Sequence, residues 1–151
     1  EVLDAFNHPL SIITKSAGIL RDLDILTSMA ERNLVHVMIS VTTLDRELAR
    51  KMEPRAATPE RRLKTMQALN NAGVPTGVLA SPMIPGLNDP EIEKILTACA
   101  EAGAVQAGYL LLRLPYELKD MFTAWLEAHY PDRARHVLSL IRQCRSGNLN
   151  N

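Results

Sequence analysis

Cysteine is nearly missing from these 151 residues, with Cys99 and Cys144 the only two. Each falls on the apolar stripe of a predicted helix, Ile92-Ile95-Leu96-Cys99 and Val137-Ile141-Cys144. Both are therefore expected to be small core residues in a reducing compartment, not a disulfide or a metal motif. Net charge is also missing. Seventeen basic side chains balance seventeen acidic ones, which removes the electrostatic footprint of a dedicated nucleic-acid or anionic-membrane binder. Long apolar runs are absent as well, since the longest, Ala107 to Leu112, falls far short of the roughly 18 residues a membrane span needs. No membrane partner and a cytoplasmic location are the expectation. His8, His36, His129 and His136 show no HExxH or HxH spacing, and no GxGxxG or GxxxxGK run follows a predicted strand. That argues against a zinc or iron site made by this chain alone, and against Rossmann and P-loop readings.

What the chain does have is alternation. Apolar runs at 10–14, 35–41, 76–81 and 105–113 read as strands, and helical periodicity reads at about 22–32, 44–52 and 59–72. A further helix is capped by Asp89 and Pro90 and ends at Ala102-Gly103, and two last helices span about 116–129 and 132–145. Thr58 suits an N-cap, Pro59 the first helical position and Gly73 a left-handed C-terminal stop. A βαβαβαβ order with apolar strands predicts an α/β fold, a partial β/α barrel with an open parallel sheet of about four strands and outer helices. One domain over 1–151 is expected, with a frayed polar tail at 146–151. The chain opens on a helix tail, Glu1 to Phe6, and not on Met, so the expectation is a C-terminal part of a longer enzyme.

Polar residues sit where these strands end. Lys15 follows Ser11-Ile-Ile-Thr, Ser40 and Thr42 close the second run, Ser81 the third, and Arg113 the fourth. Carboxyl ends of parallel strands are where ligand sites are built, because that rim is free of core packing. Lys15 can serve there as a fixed cation for a carboxylate or phosphate, or as a Schiff-base amine. Ser40 alternates with His36 and Met38, so one face of the second strand reads as a lining. Glu53-Pro54-Arg55 can pair internally or reach over the rim. Ser81-Pro82 with Pro85-Gly86 reads as a stiff loop expected to leave backbone amides and carbonyls free for a planar ligand edge. Arg113 divides between a substrate contact and a structural ion pair. Arg133, Arg135, Arg142 and Arg145 make the last helix basic on its outer side, read as a solvated face.

The ordered set Thr14-Lys15, Ile39-Ser40, Glu53-Pro54, Arg62-Leu63, Ala72-Gly73 and Gly77-Val-Leu-Ala-Ser-Pro82 resembles radical S-adenosylmethionine proteins related to spore photoproduct lyase. The Glu53 to Pro59 run is most similar to that of bacterial members carrying Glu-Pro-Arg-Ala-x-Thr-Pro. The resemblance covers roughly Asn7 to Arg145. It implies a partial (β/α)6 barrel with S-adenosylmethionine across the strand ends, Lys15 holding the methionine carboxylate, Ser40 contacting the cofactor and Ser81 meeting adenine through its backbone. Arg113, Thr42 and Arg55 are weaker substrate candidates, and no catalytic residue is assigned. The family binds a 4Fe-4S cluster through CxxxCxxC, which these residues lack, so the cluster is expected only in a longer parent. There the enzyme would cleave S-adenosylmethionine reductively and take hydrogen from an unknown substrate, with DNA a candidate by analogy. This fragment alone is expected to be inactive, and to self-associate through the strand edge at Ile12-Ile13. Two other readings stand beside this one: a barrel lyase using Lys15 as a Schiff base, which borohydride trapping would reveal, and a non-catalytic interaction scaffold.

Overall fold

Four strands pair side by side in chain order. They are β1 (Leu10–Thr14), β2 (Val35–Ser40), β3 (Thr76–Met83) and β4 (Gln106–Leu111), all parallel. The structure is a computed structural model and describes residues 1–147 and 149. Of the tail expected at 146–151, residues 148, 150 and 151 lie outside the described residues. The Gly147 N–H donates to Arg142 O at 2.8 Å.

Helix α1 (Val2–Ala5) precedes β1, α2 (Leu23–Glu31) links β1 to β2, α3 (Arg46–Met52) and α4 (Pro59–Asn71) link β2 to β3, and α5 (Ile92–Glu101) links β3 to β4. Helices α6 (Leu118–His129) and α7 (Pro131–Cys144) follow. As predicted, Thr58 caps α4, its hydroxyl accepting from the Arg61 N–H at 3.3 Å, and Pro59 is the first helical residue. The crossover helices end alike. Gly73 and Gly103 are left-handed (φ +80° and +98°), and the next N–H reaches back five residues, Val74 to Leu69 O at 3.0 Å and Ala104 to Cys99 O at 2.9 Å. Asn33 does the same for α2 at φ 56°, with Leu34 N–H on Met29 O at 2.9 Å. A short polar side chain tolerates this conformation better than most. Three strands are thus entered by one local device.

Burial alternates along β2. Val35, Val37 and Ile39 face outward and pack under Leu26 and Met29 of α2 and Met66 and Leu69 of α4. The cluster continues through Val78 to Ile95 and Cys99 of α5. Cys99 is fully buried, as expected, and burial pushes its thiol up to about 12. Cys144 departs from expectation, because it is exposed. The buried stripe of α7, Ala134, Val137, Leu138 and Ile141, stops one turn short of it, and Leu149 packs on the same cluster.

That second cluster also holds Leu48 of α3, Ile84 and Leu87 after β3, and Leu126 of α6. Trp125 joins α6 to α3 by donating its indole N–H to Lys51 O at 3.2 Å and stacking on Phe122 with ring centroids 5.7 Å apart. The helix pair α6 and α7 therefore seats on α3 and the loop beyond β3. It leaves the β4 region open, with Val105 79%, Tyr109 67% and Leu110 52% exposed. No helix among the described residues is long and apolar enough to cross a membrane.

Strand ends differ in detail from the sequence reading. β3 runs on to Met83, and its ladder with β4 shifts register between Ala80 and Met83. β4 stops at Leu111, two residues before Arg113. Arg145, expected on the solvated face of α7, instead donates to Leu111 O at 3.3 Å and Leu112 O at 3.0 Å, satisfying carbonyls where the β4 ladder has ended.

Candidate functional site

The inward face of the sheet is the less covered one. In-register pairing sets Ile13 beside Met38 and Met38 beside Gly77, with Ser40 beside Leu79 and Leu79 beside Gly108. Ile13 is 62% exposed there. Gly77 is required by the packing: a Cβ on it would stand 2.5 Å from Met38 Sδ and 2.9 Å from Gln106 O. His36 shares this face, and its Nε2 is buried without a hydrogen-bond partner among the described residues.

At the carboxyl rim of β1 and β2 lies a charged network. Lys15, directly after β1, brings its Nζ to 2.5 Å from Glu53 Oε1. Arg62 of α4 brings an Nη to 2.5 Å from Glu53 Oε2. The other Nη of Arg62 donates to Ser40 O at 3.0 Å, and its Nε donates to Ala57 O at 2.8 Å. The Thr42 hydroxyl donates to Glu53 Oε2 at 3.4 Å. Burial works to raise the Glu53 carboxyl, but hydrogen bonds and charge from Lys15 and Arg62 outweigh it and hold that carboxyl below its ordinary range. Glu53 was expected to pair with Arg55 or reach over the rim. It reaches the rim and takes Lys15 and Arg62, while Arg55 lies exposed on the loop with no ion pair or hydrogen bond among the described residues.

The Ser40 residue is buried, yet its hydroxyl has no hydrogen-bond partner among the described residues, while its carbonyl accepts from Arg62. Ser81 lies where the β3–β4 ladder is interrupted. The loop beyond it is not free, contrary to expectation. Asn88, fully buried, accepts from the Ile84 N–H at 2.6 Å and donates through Nδ2 to Thr42 O at 2.6 Å and Pro82 O at 3.0 Å. The Gly86 N–H goes to Asp89 Oδ1 at 2.8 Å. Glu91 ties the same two strand ends together, accepting from the Thr43 hydroxyl at 2.6 Å and the Leu44 N–H at 2.8 Å. Arg113 stands apart from the charged network, exposed beside an apolar hollow formed with Met52, Pro82, Phe122 and Trp125.

Lys15, Ser40 and Thr42 are thus brought together, Ser81 and Arg113 lie along the same side of the sheet ends, and Arg55 is outside the network. Arg62 and Asn88 were missed as site-building residues. Arg62 carried a signal: it occupies the buried stripe of α4 with Pro59, Thr65, Met66 and Leu69, and an arginine on a buried stripe needs a partner. Asn88 read only as a loop residue.

The profile of the Radical SAM superfamily matches residues 4–99. An uncharacterized protein of Mycobacterium tuberculosis is 32% identical over 143 residues, covering 93% of this chain and 42% of its own length. One from Mycobacterium bovis gives the same values. An uncharacterized protein of Methanocaldococcus jannaschii is 28% identical over 123 residues, covering 82% of this chain and 44% of its own length. The chain spans about two fifths of the length of these relatives. No solved structure matches it.

Proposed function

This chain belongs to the radical S-adenosylmethionine superfamily, and from that premise we propose that its strand rim holds the cofactor's amino-acid end, in a protein of the branch related to spore photoproduct lyase. Bound together, S-adenosylmethionine and a 4Fe-4S cluster would supply the superfamily's reductive cleavage of the sulfonium, with the electron delivered by the cluster. The residues of this chain fit the first group. Lys15 presents an ammonium for a carboxylate, Ser40 an unpartnered hydroxyl, and Ser81 a backbone at an interrupted ladder. They do not fit the cluster: Cys99 is sealed in the core, Cys144 lies at the end of α7, and no His, Cys, Asp and Glu group among the described residues is placed to hold a metal. The cluster is therefore assigned to residues this chain does not contain.

The observation that carries this reading is the Lys15 ammonium, fixed at the rim beside the open inner face. The Lys15 ammonium donates to the Glu53 carboxylate at 2.5 Å, which supports the role of a carboxylate anchor over that of a Schiff-base amine. Arg113 and its apolar hollow face the substrate side in this reading, with Thr42 and Arg55 as weaker contacts. DNA stands as a candidate substrate by family analogy alone. In the full gene product, compared at equal iron content, Lys15→Ala is expected to weaken S-adenosylmethionine binding about 10- to 150-fold, the worth of one charge-assisted contact. Lys15→Arg should restore part of it, since a planar fork does not replace a compact ammonium. Unchanged affinity of Lys15→Ala by calorimetry would remove Lys15 from the site.

We further propose that the chain self-associates along β1. Among the described residues β1 pairs only with β2, leaving its other edge unpaired beside the exposed Ile13. Sedimentation at about tens of micromolar, a range suited to weak interfaces, should show dimers or larger species. A clean monomer there counts against the edge.

A further inference from the structure

Lys15 and Arg62 reach one carboxylate from two sides, and the two cations differ in freedom. Arg62 is 3% exposed and anchored to Ser40 O and Ala57 O, so its guanidinium has one place to be. Lys15 is 38% exposed at the end of a flexible stem, and among the described residues Glu53 is its sole polar partner. An unbroken series of contacts runs from the β2 backbone through Arg62 and Glu53 to the Lys15 ammonium. An ammonium has three N–H donors and Glu53 engages it from one side, which leaves donors for a ligand. Two cations against one anion leave one positive charge uncompensated, enough for a single carboxylate.

We propose that Glu53 is the positioning residue of this rim: braced by Arg62, it holds the Lys15 ammonium where a ligand's amino-acid carboxylate is taken, and so makes the site selective for that carboxylate. The proposal rests on the reading of Lys15 as the cofactor anchor. Glutamine cannot replace Glu53, because an amide facing two donors must turn its own NH2 toward one of them. A released lysine must then be ordered again by each ligand, which lowers affinity about 2- to 13-fold for one rotamer-rich side chain.

The test compares S-adenosylmethionine with its decarboxylated analogue, by calorimetry on the full gene product at equal iron content. The unaltered protein should prefer the carboxylate form. Glu53→Gln should reduce that preference by the same roughly 2- to 13-fold while leaving the decarboxylated analogue's affinity as it was, a split that general loss of structure does not produce. Added to Lys15→Ala, Glu53→Gln should change nothing further. Glu53→Asp keeps the Arg62 bond but withdraws the carboxylate from Lys15 by one methylene, so it should also lose preference, and it carries the test if the glutamine variant fails to fold. Full or increased preference in both variants, or an effect of Glu53→Gln that persists without Lys15, overturns the positioning role. If Lys15→Ala itself leaves the preference intact, the anchor reading fails first and takes this proposal with it.

Discussion

Replacing Arg62 by alanine is expected to cost about 3 to 5 kcal/mol of folding stability, the range for breaking a buried ion pair by removing one partner. The guanidinium is 3% exposed and meets Glu53, Ser40 O and Ala57 O at once. Its loss leaves Glu53 half-buried with one cation and two backbone carbonyls without their donor. Urea unfolding near neutral pH measures the effect, and a loss under about 1 kcal/mol, the scale of a surface pair, would show that water repairs the gap. The acid limb gives a second reading. Glu53 is held below its ordinary value of 4.5, so its contribution is present above that value and is lost as pH falls through the lower folded one. With Arg62 gone, burial opposes only Lys15, and the loss should begin at higher pH. A melting-temperature series from about pH 7 down to about pH 3 would resolve the displaced limb.

Asn88→Ala should cost about 3 kcal/mol or more. The side chain is fully buried and satisfies the Ile84 N–H, Thr42 O and Pro82 O together, and each buried group left unpaired costs about 1 to 3 kcal/mol. Alanine also leaves a small void that water fills only partly. Asn88→Asp is expected to do no better: it keeps an acceptor for Ile84 but sets a carboxylate against two carbonyls. Urea midpoints with unchanged slopes would give the size of the loss, and hydrogen exchange at Ile84 its location. If the alanine variant unfolds at the same midpoint as the unaltered chain, the latch is dispensable.

Much of the fold was legible because it is local. Thr58, Pro59 and Gly73 act within one helical turn of themselves, and the alternation of Val35, Val37 and Ile39 with His36, Met38 and Ser40 fixes which face of β2 is buried. The rim chemistry was legible only in part. That Lys15 and Ser40 lie at strand ends follows from strand periodicity, but the partner of Glu53 depends on how α4 docks on β2. Proximity in sequence pointed to Arg55, and tertiary packing chose Arg62. Asn88 was hidden for the same reason, since its partners lie at the ends of two different strands. Cys144 misled because helical periodicity continues past the point where α7 has anything to pack against.

Trp125 is the only tryptophan in the chain, and its indole N–H is tied to the carbonyl of Lys51, at the end of the helix that delivers Glu53 to the rim. The protein thus carries an intrinsic optical gauge at that junction. Its emission colour follows the hydration of a single indole, so a rearrangement of the Glu53 loop can be watched by fluorescence without attaching a dye or altering a residue.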